Sequence, residues 1–283
     1  MIAIDWGTTS FRAYRLGARG AILETRCAPK GILAVPAGGF AAVLDEQIRG
    51  WNERPVLMSG MVGSRQGWIE APYVPCPAGF DEIAAAMREV REGIWLVPGV
   101  SCRDESGVPD VMRGEETQVL GAERDGLLCL PGTHSKWVEV RAGRIERFST
   151  AMTGEVYAVL KSHSILGRMM EEGNTNADAF RRGVERSGEP GGLLHHLFGV
   201  RTKGLMGELD AAAASSYLSG LLIGHEIRAV GQRSFMVLGE PRLAELYSAA
   251  AAALGCETER LDATSGTRAL FGLGVMLRGK EES

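Results

Sequence analysis

The sequence contains no CxxC pair, and its five cysteines are scattered along 283 residues. An odd number of cysteines without framework spacing argues against a disulfide scaffold and favours the reduced thiols of a cytoplasmic protein. The simplest interpretation of these cysteines is as small buried apolar side chains. The histidines also lack metal-ligand spacing, because the adjacent His195 and His196 would point to different faces of a helix. The cysteines are Cys27, Cys76, Cys102, Cys129 and Cys256.

The sequence also lacks a block of lysines and arginines, and its formal net charge is -4. A nucleic-acid backbone would find no electrostatic footprint on such a chain, so we expect no nucleic-acid partner. No apolar run reaches the length of a membrane span, and the N-terminal residues do not have the pattern of a signal peptide. We therefore expect no membrane partner and a cytoplasmic location.

The composition, with 45% hydrophobic and 23% charged residues, is that of an ordinary globular protein. A chain of this length is long for a single core, so we expect two lobes. Residues 40–51 have helical spacing, whereas residues 55–59 form a short apolar run, which is typical of a buried strand. Alternation of such segments predicts an α/β fold, with one domain over residues 1–113 and another over residues 114–283.

The first sixteen residues have the pattern of a strand, a tight turn and a second strand. An apolar run ends at Asp5, and Gly7, Thr8 and Thr9 form the turn. Backbone N–H groups and hydroxyls in such a turn suit phosphate oxygens. Asp5 could hold a magnesium ion through water, since Mg²⁺ takes only one or two carboxylates. A hairpin with a solvated aspartate fits this stretch alone equally well. Side chains alternate along a strand, so Arg12 points away from Phe11 and Ala13, either towards the site at Asp5 or into the solvent.

Residues 131–136 repeat this pattern between two further strand segments. Gly132 and Thr133 form a second Gly-Thr turn, and His134 and Lys136 add donors. The spacing is not that of a Walker loop. A solvated hairpin mouth explains the segment equally well when it is considered alone. Two lobes that each present such a turn could clamp a triphosphate between them.

Two acidic residues, Glu115 and Glu116, begin a predicted helix. The helix dipole favours an ionised carboxylate at this position, and such a carboxylate can accept the proton of an attacking hydroxyl. Ordinary acidic bias at a helix N-terminus is the alternative. Later in the chain, a strand that ends at Gly239 before a helix could accommodate an adenine ring, although this pattern is common in α/β proteins.

Residues 60–68 contain three glycines, which permit an irregular backbone. Arg65, Gln66 and Trp68 offer side chains that could bind hydroxyls and a carboxylate, and arginine bonds both carboxylate oxygens. The alternative is a surface loop packed by its own Trp68.

Taken together, these segments resemble the sugar-kinase, actin and Hsp70-type nucleotide-binding superfamily. DWGTTSFRAYRL is similar to its first phosphate motif, LLCLPGTHSKWV to its second and FMVLGEPRLAELY to its adenosine motif. Within the superfamily, GMVGSRQGWIEAPYVPCPAG, MRGEETQVLG and LPGTHSKWV resemble the 2-dehydro-3-deoxygalactonokinase family. The similarity extends through nearly the whole chain.

The resemblance implies two ribonuclease-H-like domains of the actin-like ATPase type, with a cleft between them. It also implies ATP and Mg²⁺ as cofactors, a keto-deoxy sugar acid as acceptor and a 6-phosphate as product. Asp5 would position hydrated magnesium, the two Gly-Thr turns would hold the phosphates, and Glu115 would be the base. The superfamily often uses an aspartate as base, whereas this sequence has Glu115 and Glu116, as in related exopolyphosphatases. Arg65, with Gln66, Trp68 and Arg12, would orient the sugar acid.

Other functions remain open at this point. A phosphatase or exopolyphosphatase of the same fold would use water as acceptor, but the overall negative charge disfavours a polyphosphate channel. A sugar-acid sensor without enzymatic activity usually carries an added interaction module, for which 283 residues leave no room. A filament-forming ATPase is a third alternative, and the sequence is compatible with a homodimer.

Overall fold

A computed structural model of the chain describes residues 1–171 and 175–281. Contacts between residues divide it into two compact units. Unit 1 contains Met1–Gly126, Val138–Ser149 and the residues from Asp262 onward, and unit 2 contains Leu127–Trp137 and Thr150–Leu261. Residues 114–126 and the C-terminal helix thus belong to unit 1, whereas the domains expected from the sequence place them after residue 113. The boundary at residue 113 came from the order of predicted segments along the chain, and it stays a prediction.

Within the described ranges, strands and helices alternate as an α/β fold requires. The strands are β1 (Ile2–Trp6), β2 (Phe11–Leu16), β3 (Ile22–Ala28), β4 (Val56–Ser59), β5 (Tyr73–Pro75), β6 (Arg88–Arg91), β7 (Ile94–Leu96), β8 (Gly99–Arg103), β9 (Pro109–Met112), β10 (Gly126–Leu130), β11 (Ser135–Arg141), β12 (Arg144–Ala151), β13 (Ser234–Val237) and β14 (Glu257–Arg260). The helices are α1 (Phe40–Gln47), α2 (Phe80–Ala86), α3 (Glu115–Ala122), α4 (Thr153–His163), α5 (Ala177–Arg186), α6 (Gly192–Leu205), α7 (Ala211–Val230), α8 (Pro241–Ala253) and α9 (Ser265–Glu281).

The main sheet of unit 1 has the strand order β3-β2-β1-β4-β7-β6. β1 pairs antiparallel with β2 and parallel with β4, and β4 pairs parallel with β7. All four residues of β4 are buried, as predicted for a strand covered on both faces. β1 is buried except at Asp5, which is partly exposed at its carboxyl end. The carboxyl ends of β1 and β4 therefore meet at one edge of this sheet.

The second large sheet has the order β12-β11-β10-β13-β14, in which β13 pairs parallel with both β10 and β14. The two large sheets share part of this order, because β1, β2 and β3 are neighbours in the first and β10, β11 and β12 are neighbours in the second. In each sheet the first of these strands also pairs parallel with a later strand, β4 or β13. The repeat of strand, Gly-Thr turn and strand is thus confirmed and extends to the topology of the two sheets. A third, smaller sheet in unit 1 has the order β5-β8-β9. In this sheet β5 pairs parallel with β8.

The long helix α7 lies in the core of unit 2, and most of its residues are buried. The Asp210 carboxylate accepts a hydrogen bond from the Ala213 N–H at 2.7 Å, so Asp210 is the N-cap of this helix. α5 packs closely against α7, since a Cβ placed on Gly220 would lie 2.0 Å from the Phe180 carbonyl oxygen. None of the helices in the described ranges combines the length and the hydropathy needed to cross a bilayer.

Candidate active site

Asp5 lies at the edge of the unit 1 sheet, in register with Arg12 on one side and Ser59 on the other. Arg12 Nη1 is 3.5 Å from Asp5 Oδ2. A Cβ placed on Gly60 would be 3.3 Å from Asp5 Oδ1, so the carboxylate lies directly beside the Gly60 backbone. Burial raises the pKa of the Asp5 carboxyl, and the Arg12 guanidinium partly opposes this shift. The structure therefore brings Asp5, Arg12 and the start of the residue 60–68 loop together.

The first Gly-Thr turn is supported from one side by the segment after β3. A Cβ on Gly31 would lie 2.3 Å from both the Thr8 carbonyl oxygen and the Thr9 nitrogen, so only glycine fits this approach. The Ile32 N–H donates to the Gly7 carbonyl at 3.0 Å. Thr8 and Thr9 are exposed on the other side. The turn is fixed in position while its hydroxyls face solvent, as a phosphate site needs.

The N-terminus of α3 also lies at this edge of the sheet. Gly114 precedes the helix with φ 109°, a conformation that favours glycine. A Cβ on Gly114 would be 3.2 Å from Gly60 Cα. The hydroxyls of Ser59 and Thr117 are 3.3 Å apart and connect β4 to the helix. Asp5 and the N-terminus of α3 thus both lie beside Gly60. Ligand sites in α/β sheets commonly lie at the carboxyl ends of the strands, as Gly60 does here after β4.

The two glutamates at the start of α3 have different environments. Glu115 is partly exposed, and its Oε2 accepts a hydrogen bond from the Arg113 N–H at 3.0 Å. Glu116 is fully buried, and its Oε2 accepts from the Gly114 N–H at 2.6 Å. Burial, with a further contribution from the Glu115 charge, raises the pKa of Glu116 to about 8. Glu116 is therefore shielded from a ligand, and Glu115 is the carboxylate that a ligand can reach.

The loop expected to bind the acceptor separates its three predicted residues. Arg65 and Gln66 are exposed, and the Arg65 side chain is 89% accessible with only a 3.9 Å approach to Glu70. Trp68 instead stacks on Phe40, with ring centroids 6.4 Å apart, and packs against the core of unit 1. Trp68 therefore anchors the loop, while Arg65 and Gln66 lie at its surface.

Arg113, which the sequence did not single out, lies beneath this loop. Its side chain is buried, its Nη2 donates to the Ala71 carbonyl at 2.8 Å, and its guanidinium stacks on Tyr73 at 4.3 Å. A Cβ on Gly63 would be 3.1 Å from Arg113 Nη1. In the sequence, the only feature that could have identified Arg113 is its position directly before Gly114 and Glu115, where α3 begins.

In unit 2, the second Gly-Thr turn lies against the N-terminus of α4. A Cβ on Gly154 would be 2.3 Å from the Gly132 carbonyl oxygen, and the Glu155 N–H donates to the Thr133 carbonyl at 2.9 Å. The start of a helix attracts anions through its dipole and its unpaired N–H groups. The structure therefore places Gly132 and Thr133 directly at a helix N-terminus.

The two other predicted donors near this turn have protein partners. His134 Nε2 pairs with Glu155 Oε2 at the surface. Lys136 is buried on β11, and its Nζ donates to Thr150 Oγ1 at 2.6 Å. His134 lies at the turn itself, whereas Lys136 lies within the sheet behind it.

Unit 2 contains a cavity of about 550 Å³ that is lined by Gly132, Gly154, Glu240 and Tyr247, among others. Its volume is within the range of small-molecule sites. Gly239 is adjacent to the second turn, because a Cβ there would be 3.5 Å from Pro131. The second turn and the segment after β13, which were predicted to bind phosphate and adenosine, thus lie at one cavity.

A buried polar cluster lies next to this cavity, and none of its members was among the predicted site residues. Glu226 of α7 accepts hydrogen bonds from Tyr247 OH at 2.6 Å and from Trp137 Nε1 at 2.7 Å. Ser135 Oγ is 2.7 Å from Tyr247 OH. Burial raises the pKa of Glu226 and of Tyr247. The cluster connects α7, α8 and the strand that follows the second turn.

Comparisons with known proteins address the family to which the chain belongs. The family model of 2-keto-3-deoxy-galactonokinase matches residues 5–273. The 2-dehydro-3-deoxygalactonokinase of Escherichia coli (strain K12) is 39% identical over 266 residues, which cover 90% of each chain. A solved structure from Sinorhizobium meliloti, named as a candidate 2-dehydro-3-deoxygalactonokinase, is 36% identical, covers 98% of each chain and superimposes with a TM-score of 0.88.

A more distant structure indicates the wider fold. The activator of the 2-hydroxyisocaproyl-CoA dehydratase from Clostridium difficile, solved with bound ADPNP, covers 100% of this chain and 97% of its own. It is 11% identical and has a TM-score of 0.54, so this likeness concerns the fold alone. The family resemblance inferred from the motifs is confirmed. On the match over residues 5–273 and the identity to these relatives, the chain belongs to the 2-keto-3-deoxy-galactonokinase family.

Proposed function

We propose that this chain is an ATP-dependent kinase that transfers the γ-phosphoryl group to the 6-hydroxyl of 2-dehydro-3-deoxy-D-galactonate, in galactonate catabolism. Family membership and the names of the relatives support this substrate. The observation that carries the proposal is the edge of the unit 1 sheet, where Asp5, the first Gly-Thr turn and the acidic start of α3 meet. Phosphoryl transfer needs a carboxylate for the attacking hydroxyl and donors for the phosphates, and both lie there.

Glu115 is the proposed base. A base must touch the hydroxyl that it deprotonates, and Glu115 is partly exposed whereas Glu116 is fully buried. The dipole at a helix N-terminus favours a negatively charged side chain at this position. Glu116, which caps the helix through Gly114, would instead hold the start of α3 in place.

Asp5 is the proposed site of Mg²⁺ binding, through water. One partly buried carboxylate beside an open turn of hydroxyls suits this ion, which keeps several waters and takes few carboxylates. Mg²⁺ bound with ATP neutralises part of the phosphate charge. Arg12, across from Asp5, would hold the carboxylate in position and contact the acceptor from its exposed side.

Gly7, Thr8 and Thr9 would hold phosphate oxygens in unit 1, and Gly132, Thr133 and His134 would do so in unit 2. The adenosine would occupy the 550 Å³ cavity beside Gly239. Lys136 would act from behind the second turn, through its bond to Thr150. Arg65, Gln66 and Trp68 would form the acceptor side. The proposed function goes with two ribonuclease-H-like domains of the actin-like type and a cleft between them. The proposal also includes a cytoplasmic location and a possible homodimer.

The test is a coupled ADP-release assay with ATP and Mg²⁺ across sugar acids, neutral hexoses, water alone and polyphosphate. The expected result is rapid ADP release with 2-dehydro-3-deoxy-D-galactonate and little with neutral hexoses. Release that needs no organic acceptor, or cleavage of polyphosphate, would instead indicate a phosphatase. Ligand binding without ADP release would indicate a sensor.

A further inference from the structure

The Arg113 guanidinium is fixed in place by the loop of residues 61–73. Arg113 is 7% exposed, and its Nη2 donates to the Ala71 carbonyl at 2.8 Å. The guanidinium carbon lies over the Tyr73 ring, 4.3 Å from the ring centroid. The Gly63 backbone closes a third side, since a Cβ there would lie 3.1 Å from Nη1. A planar cation that is stacked and bonded in this way has already lost the freedom that binding would otherwise cost.

This cation has donors without acceptors. Arg113 Nε and Nη1 are buried and have no hydrogen-bond partner within the described part of the chain, and the same is true of Ser64 Oγ on the adjoining loop. A buried charged donor without an acceptor is destabilising, and such groups are rare in folded proteins. The fold therefore maintains an unsatisfied cationic site, and a bound anion would account for it.

We propose that Arg113 binds the carboxylate of the sugar-acid acceptor, with Ser64 Oγ as a further donor. The inference rests on the proposed function and identifies the residue that selects acids over neutral sugars. Arg113 is two residues before the proposed base Glu115, and both lie at the start of α3. In the proposed complex, the acceptor contacts Arg113 through its carboxylate and Glu115 through its 6-hydroxyl.

Exposure decides between Arg113 and Arg65 for this role. An ion pair at an exposed side chain such as Arg65 gives little selectivity, because water and salt screen it. A guanidinium that is removed from water interacts more strongly with a carboxylate and is penalised when no anion is present. Arg113 thus favours acids and disfavours neutral analogues, whereas Arg65 contributes to the rim of the site.

The experiment compares the wild-type protein with Arg113→Met, Arg113→Lys, Arg65→Ala and, as a control, Arg88→Met, which removes an exposed arginine from β6. Each is assayed with the sugar acid and with its C1 amide, which has the same shape without the charge. Thermal unfolding and the KM for ATP are measured in parallel. The deciding quantity is the ratio of kcat/KM for the acid to kcat/KM for the amide.

The expected result is that Arg113→Met lowers kcat/KM for the acid on the order of 10²-fold, while the amide changes less than about threefold. Arg113→Lys should retain the charge and recover part of the selectivity. Arg65→Ala should lower the ratio by less than about fivefold, and Arg88→Met should leave it unchanged.

An unchanged acid-to-amide ratio in Arg113→Met and Arg113→Lys would overturn the inference, because an arginine that only supports the loop would affect both acceptors equally. If Arg113→Met does not fold, the acid-to-amide ratio of kcat/KM in Arg113→Lys alone decides the question. If the wild-type protein releases no ADP with any sugar acid, the proposed function fails and the inference fails with it. Wild-type activity together with an unchanged ratio refutes the role of Arg113 only.

Discussion

The contact between α4 and the second Gly-Thr turn provides a sharp test of the phosphate assignment. Gly154 lies in the first turn of α4, and a Cβ there would be 2.3 Å from the Gly132 carbonyl oxygen and 2.8 Å from Thr133 Cα. Ordinary contact begins near 3.4 Å, so Gly154→Ala must move the turn and the helix apart by about 1 Å. Both atoms belong to the backbone, which cannot rotate out of the way as a side chain can.

The expected cost in stability is small. Overpacking of this kind costs about 1–3 kcal/mol, and the better helix propensity of alanine returns up to about 1 kcal/mol. A net loss of about 1 kcal/mol leaves the protein folded at room temperature. The expected cost in catalysis is larger, because a displacement of about 1 Å in a group that positions the substrate can lower the rate on the order of 10²-fold.

The measurements are kcat/KM for ATP and for the acceptor, together with urea unfolding. Gly199→Ala in α6 is the matched control, because its added Cβ would have no atom within 4 Å. This control should gain up to about 1 kcal/mol in the free energy of unfolding and retain wild-type kinetics. A folded Gly154→Ala protein with kcat/KM for ATP within about threefold of wild type would refute a phosphate role for the second turn.

Three further predictions concern single side chains. Asp5→Asn should lower kcat by orders of magnitude with an unchanged circular dichroism spectrum, and near-normal turnover would remove Asp5 from the mechanism. Glu115→Gln should lower kcat at saturating acceptor rather than raise its KM; the same result in Glu116→Gln alone would make Glu116 the base. Burial lowers the pKa of His225, whose Nε2 lies 3.0 Å from Nδ1 of the buried His196. As the pH falls, His225 therefore takes up a proton at a higher pH in the unfolded chain than in the folded protein. The free energy of unfolding should therefore fall between pH 7.5 and 5.5, and His225→Gln should flatten this dependence; an equal slope in both proteins would contradict the reasoning.

The sequence was sufficient for features that depend on local pattern. The turn after β1 and the turn after β10 each follow an apolar run with a Gly-Thr pair, and this pattern is visible in a few residues. The continuous apolar run of β4 likewise predicted a strand buried on both faces. Such features are encoded where they occur, so no knowledge of distant residues is needed.

Features that depend on distant residues were not predicted. β5, β8 and β9 form a separate sheet, in which the exposure of the residues is mixed. β8 and β9 form a hairpin, but β5 pairs with a strand that comes after α2 and two other strands. The difference between Arg65 and Arg113 is one of burial, which no local pattern indicates for an arginine. Glu226 was detectable in principle, since a charged residue in the apolar stretch of α7 needs a partner when it is buried.

The correspondence between the two large sheets extends to the glycines that approach their turns. Gly31 would place a Cβ 2.3 Å from the backbone of the first turn, and Gly154 would place one 2.3 Å from the backbone of the second. The segments that carry these glycines differ, because Gly31 follows a strand and Gly154 begins a helix. In both units, therefore, the backbone of the Gly-Thr turn packs closely against a glycine on one side, and its threonines are exposed on the other. A turn supported in this way suits phosphate oxygens, which is the role proposed for it in both units.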